Sequence, residues 1–128
     1  MEPATVEDAW RLVLKSGTTT VGVVCSDGVV LATDRRVTSG FFIANKKGRK
    51  ICRIDDHIAA TIAGVVADAQ MLMDRVSAQA RLYKLMNGRR ISVRAAATLT
   101  SNILFGSRYF PLILQAIVAG VDDEGPRM

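Results

Sequence analysis

At 128 residues the chain makes one domain or part of one, and its 49% hydrophobic content excludes a disordered polypeptide. Only 5% is aromatic, so the core must be built from Val, Ile, Leu, Ala and Met. The net charge of +5 is scattered apart from Lys46-Lys47-Gly48-Arg49-Lys50, where no aromatic residue offers a stacking platform, which argues against nucleic acid.

Residues 1–17 have mixed composition, with an apolar knot at Trp10, Leu12, Val13 and Leu14. Their acidic, polar start is unlike a signal peptide, and no apolar run approaches the ~20 residues that span a bilayer. A soluble, cytoplasmic protein is expected. Cys25 and Cys52 fit neither a disulfide framework nor metal-ligand spacing, and each is expected to be a buried, reduced thiol.

Two β-branched runs at 19–25 and 29–33 are joined by Ser26-Asp27-Gly28, a hairpin signal in which the glycine suits a turn with positive φ. Further strands are expected at 42–45 and 49–54, with Lys47-Gly48 at the turn between them, and at 57–63 after Asp55-Asp56. A helical period follows Gly64: Ala69, Met73, Val76, Ala80 and Tyr83 form an apolar stripe, with Asp68, Asp74, Ser77, Arg81 and Lys84 off it. Asn87-Gly88 suits a left-handed cap. A second helix starts at the N-cap Ser92 and presents Val93, Ala96, Ala97, Thr100, Ile103 and Leu104 on one face. Beyond Pro111, residues 112–121 read as a last strand. Strands followed by two helices predict α+β layers, the helix pair packed on one sheet face.

The chemistry centres on Thr18, which follows Gly17 and opens Thr18-Thr19-Thr20-Val21-Gly22. One cleavage before Thr18 would place a nucleophilic hydroxyl and a basic α-amine, with an unperturbed pKa of roughly 8, on the same residue. An intact amide nitrogen is not basic, so the chain would be a precursor. Gly-Thr-Thr also occurs in ordinary strands, and the motif alone does not decide.

Its context does. Thr18 to Cys25, then Asp27-Gly28-Val29-Val30-Leu31-Ala32-Thr33-Asp34-Arg35-Arg36, Lys50-Ile51 and Thr61-Ile62-Ala63-Gly64 resemble proteasome β subunits of the archaeal type. The resemblance runs from Gly17 to about Pro126 and implies an N-terminal-nucleophile hydrolase, whose αββα sandwich would here be incomplete: antiparallel strands plus the first helix pair. It implies a propeptide at 1–17, a domain at 18–128 truncated at its C-terminus, and self-processing at Gly17-Thr18. The implied function is a threonine endopeptidase of the proteasome core, degrading unfolded polypeptides. The implied partners are other β subunits in a heptameric ring, α subunits and, indirectly, a regulatory ATPase. No metal or organic cofactor is implied.

A terminal threonine needs a group that keeps its amine neutral, an orienting group and an oxyanion donor. Lys50 is the candidate for the first task, since a nearby cation disfavours the protonated amine. Asp34 is its natural counter-charge. Both match the family's catalytic pair in spacing. Gly64, with no side chain to block its N–H at a strand-to-helix junction, matches the oxyanion donor. The resemblance further implies that Thr38 contacts substrate backbone and that Arg36 is a structural neighbour. Val37, Cys52, Ile62 and Val66 would line an apolar pocket for the residue before the scissile bond, favouring cleavage after hydrophobic side chains.

His57 is the sole histidine, and a Ser-His-Asp triad built on it carries little weight. Asp55 with Asp56, and Asp122 with Asp123 and Glu124, read as turns and chain-end solvation. Two alternatives stay open: an inactive structural subunit or truncated fragment, and another N-terminal-nucleophile hydrolase such as the bacterial ATP-dependent protease type. The 128 residues by themselves are expected to be inactive.

Overall fold

The computed structural model describes residues 18–35, 37–39, 42–45, 49–109, 111–112 and 114–128; the side chains of 37–39, 42–45 and 66 are outside that description. Strands β1 (Thr20–Val24) and β2 (Val29–Thr33) form an antiparallel hairpin. Its loop is the four residues Cys25 to Gly28, closed by Cys25 N–H donating to Gly28 O at 2.7 Å. Positive φ occurs at other glycines, so the hairpin forms without the primed turn expected from Asp27-Gly28. Four-residue loops supply the reversal instead. Cys25 is exposed in that loop, against the expectation of a buried thiol.

Strand β3 (Val37–Ser39), absent from the sequence reading, pairs with β4 (Phe42–Asn45). The partner of 42–45 is thus the segment before it, not 49–54, and the expected Lys47-Gly48 turn lies outside the described residues.

The main sheet runs β5-β6-β7-β8, all antiparallel, with β5 at Ile51–Asp55, β6 at Ile58–Gly64, β7 at Leu114–Asp122 and β8 at Gly125–Arg127. The expected last strand therefore turns once more at Asp123-Glu124. Helices α1 (Val66–Asn87) and α2 (Val93–Gly106) cover one face. Ile54, Ile58, Ala60 and Ile62 from the sheet meet Ala69, Leu72, Met73, Val76 and Ala80 from α1 and Val93 and Ala96 from α2 in one buried core. Burying each large aliphatic contributes about 1.5–3 kcal/mol. The opposite sheet face carries Thr61 and Ala119, both buried, where β2 crosses β5, β6 and β7.

The α1 stripe matches the expected period, with Leu72 added. Among its polar positions, Ser77 reaches back to the sheet. A register shift between Arg53 and Asp55 takes Ile54 out of the ladder, and Ser77 Oγ donates to the Ile54 carbonyl at 3.0 Å. Gly88 ends α1 at φ 69°, its N–H donating to Lys84 O. Ser92 caps α2, its Oγ accepting from Ala95 N–H at 3.1 Å. On α2, Val93, Ala96 and Thr100 are buried, but Ala97 is exposed while Leu99 packs on the core. Val93, Ala96, Thr100, Ile103 and Leu104 thus lie on the face expected, and Ala97 is the exception. No described helix is long and apolar enough to cross a membrane.

Candidate active site

The β1–β2 register carries the first half of the site. Thr20 pairs with Thr33, so the next rung sets Thr19 beside Asp34. Asp34 N–H donates to Thr19 O at 3.3 Å, and Thr19 N–H donates to Asp34 Oδ1 at 3.1 Å. The hairpin thereby returns a carboxylate to the residue next to Thr18. Thr33 Oγ1 donates to the Asp34 carbonyl at 2.8 Å and steadies the same bend.

Lys50 comes from the other sheet. Ile62 N–H donates to its carbonyl at 2.8 Å, extending the β5–β6 ladder one residue before Ile51. Strand alternation puts Lys50 and Cys52 on the face of Ala60 and Ile62. Its Nζ reaches Asp34 Oδ2 at 2.8 Å and Thr18 Oγ1 at 3.2 Å. Lys50 is only 9% exposed and Asp34 37%. A cation this buried is tolerated when paired and hydrogen-bonded, and Asp34 and Thr18 supply both conditions.

Three of the sequence candidates therefore converge from two layers: Thr18, Asp34 and Lys50. The ammonium of Lys50 donates to the hydroxyl oxygen of Thr18, whose nitrogen is still the amide to Gly17. An ammonium paired with a carboxylate has no lone pair to take the hydroxyl proton. It can orient Oγ and favour its alkoxide character; a base must be another group.

Gly64 ends β6 opposite Leu114 with φ 115°, a value that L side chains rarely adopt, immediately before α1. It stands two residues past the rung that fixes Lys50. Ile62 is buried in the core beneath the helices, and Cys52 packs against that core. Burial pushes the Cys52 thiol up, the Asp74 carboxylate adds to this, and Arg49 opposes it. Val37 and Thr38 lie on β3 and Val66 opens α1, but their side chains are not described. Gly17 and Arg36 fall outside the described residues. A groove of about 650 Å³ lies elsewhere, between α1 and α2, lined by Leu82, Tyr83, Met86, Ile91 and Leu99. It is remote from Thr18 in the chain and holds none of the candidate chemistry.

Sequence reasoning missed the part played by Thr19, although the hairpin register would have found it. Asp122 is a second case. Read as chain-end solvation, it instead accepts from Val93 N–H at 2.9 Å through Oδ2 and from Glu124 N–H at 2.9 Å through Oδ1. The Val93 bond above all holds its carboxyl below the usual carboxylate range; partial desolvation opposes this, and the Glu124 amide, Arg127 and His57 assist.

The proteasome subunit model matches residues 14–128. Over 112 residues the chain is 54% identical to the proteasome β subunit of Methanothermobacter thermautotrophicus, covering 88% of this chain and 53% of that one. The β subunit of Methanohalophilus mahii is 54% identical over 110 residues, covering 86% and 52%. That of Methanocaldococcus vulcanius is 53% identical over 113 residues, covering 88% and 51%. The antiparallel sheets and helix pair form part of an α+β N-terminal-nucleophile hydrolase fold. The chain belongs to the proteasome subunit family, and the relatives it matches at about half identity are β subunits. It spans about half the length of these curated relatives.

Proposed function

We propose that this chain carries the nucleophile-bearing part of a threonine endopeptidase within a proteasome core, released for work by cleavage between Gly17 and Thr18. The observation that supports this most is the contact of Lys50 Nζ with both Thr18 Oγ1 and Asp34 Oδ2. After cleavage the freed α-amine of Thr18 is the base that Lys50 is not. Thr18 Oγ attacks the scissile carbonyl, and its proton passes to the amine, through a water where the geometry requires one. The tetrahedral oxyanion is met by Gly64 N–H, and collapse expels the leaving amine, which takes up the proton. Water then hydrolyses the ester. Processing is the same attack turned on the Gly17 carbonyl, so residues 1–17 act as a propeptide.

Substrates are unfolded polypeptides cleaved after hydrophobic residues, received by a pocket at Val37, Cys52, Ile62 and Val66, with Thr38 on the substrate backbone and Arg36 as a structural neighbour. The working assembly is a β ring stacked with α subunits in the cytoplasm. By itself the 128-residue polypeptide is expected to leave the Gly17-Thr18 bond uncut and peptides unhydrolysed.

The test is substitution in the assembled particle, read by a fluorogenic hydrophobic peptide. Thr18→Ala is expected to abolish processing and hydrolysis, and pre-trimmed Thr18→Ala to stay inactive. Lys50→Ala should lower turnover at least ~100-fold, while Lys47→Ala stays near the parent value. Equal losses at Lys47 and Lys50 would show that the site lies elsewhere.

A further inference from the structure

The helix pair carries a groove that the threonine chemistry leaves unused. Gln79, Leu82 and Met86 make one ridge of α1 at three- and four-residue spacing, and Ala95, Leu99 and Asn102 make the facing ridge of α2 in the same way. About 650 Å³ of space lies between them. Leu82 is 47% exposed and Met86 76%, and their neighbour Leu85 reaches 83%. Ile91, which lines the same space, is buried. A contiguous apolar patch over a concave surface marks a place where something binds.

The charge around this groove is of one sign. From Arg75 to Arg94 the sequence holds six Arg or Lys and no Asp or Glu. Arg94 lines the groove itself. Arg89 and Arg90 line the cleft that continues from it past Tyr83, Ile91 and Ser92. Arg81 and Lys84 line a further cleft on α1. All these cations are exposed, and none makes an ion pair among the described residues. Asp122, Asp123 and Glu124 share the first cleft but offset little of this charge. Asp122 is taken by two amides and Glu124 by Arg127, which leaves Asp123 against two arginines.

We propose that the α1–α2 groove docks an amphipathic helix of another polypeptide, acidic on its polar face. Apolar side chains at i, i+3, i+4 and i+7 of such a helix span about 10 Å, the rise from Gln79 to Met86 along α1. They fill the space between the two ridges, and carboxylates beside them meet Arg90 and Arg94. Complementary charge of this kind fixes the register and selects the partner. A bilayer surface is flat and does not enter a groove between helices. Nucleic acid suits the cations but not the apolar lining, where Tyr83, the ring on offer, is half-buried and a poor stacking platform. Thr18, Asp34 and Lys50 take no part, so this docking is tested separately from the peptidase reading.

The probe is a fluorescent helical peptide of about four turns, with Leu at i, i+3, i+4 and i+7 and Glu on its polar face. It is titrated by anisotropy into the full chain carrying Val23→Thr and Val30→Thr, which limits association through the distant hairpin. Saturable binding that weakens as salt rises is expected. Arg90→Glu with Arg94→Glu, and separately Leu82→Ser with Met86→Ser, should each weaken it at least ~10-fold. Arg108→Glu, just past the end of α2, should leave it unchanged. Every substituted side chain is exposed, so none of these variants opens the core. Absence of saturable binding overturns the proposal, as does equal binding of the same peptide with Lys in place of Glu, or an equal loss in Arg108→Glu. Tighter binding of a single-stranded oligonucleotide or of phosphatidylserine vesicles, lost in the same groove variants, also overturns it.

Discussion

Asp34 touches both halves of the candidate site, accepting from Thr19 N–H through one oxygen and from Lys50 through the other. Replacing it separates two roles that the sequence alone could not weigh. Asp34→Asn keeps the shape but removes the charge opposite a lysine that is 9% exposed. Leaving a buried charge without its partner costs about 3–5 kcal/mol, and the partial exposure of Asp34 places this pair towards the lower bound. Chemical denaturation of Asp34→Asn should show that loss, while Thr18→Ala, which removes only a hydroxyl contact, should change stability by less than ~1.5 kcal/mol. Equal stability of Asp34→Asn and the parent would mean that the Lys50–Asp34 contact is not maintained in solution.

Among the elements, the clearest electrostatic device is the clasp between the end of β7 and the start of α2. Asp122 accepts the Val93 N–H, an amide that the Ser92 side chain leaves unsatisfied because its Oγ takes Ala95 instead. The carboxylate also lies at the positive end of the helix, which favours its ionised form. Its folded-state value is depressed, so its contribution to stability is complete above the ordinary carboxylate range and is lost as pH falls through the lowered value. Asp122→Asn should therefore flatten the acid limb of a stability-against-pH curve and loosen the first turn of α2. An unchanged acid limb would show that Asp122 contributes nothing to stability through its charge. The helices themselves were legible in sequence, because apolar spacing, Ser92 and Gly88 act locally. That Ala97 is exposed and Leu99 packed was not, since the sheet beneath sets it. The β3–β4 pairing was equally hidden, as three residues carry too little alternation to signal a strand. Thr18, Asp34 and Lys50 were found through resemblance and spacing; that Lys50 meets the hydroxyl depends on how two sheets pack, which no local pattern encodes.

At the scale of the whole molecule, the hairpin leaves an apolar face outward. Val21, Val23 and Val30 are each about half exposed, and Val23 lies opposite Val30 across the strands. Apolar patches of this kind, beside unpaired strand edges, promote association. The 128-residue polypeptide is expected to sediment as oligomers or aggregate, and Val23→Thr with Val30→Thr should shift it towards monomer. A monomeric parent polypeptide would show that the hairpin face is harmless.

On the proposed mechanism Thr18 becomes a chain terminus whose hydroxyl Lys50 orients and whose amine serves as base. Intact mass and N-terminal sequencing of this subunit, isolated from particles assembled with an α subunit, test it most directly. A chain beginning at Thr18, lighter by residues 1–17, is expected in the parent, and an unprocessed chain in Thr18→Ala. A parent chain in active particles that still begins at Met1 would contradict it.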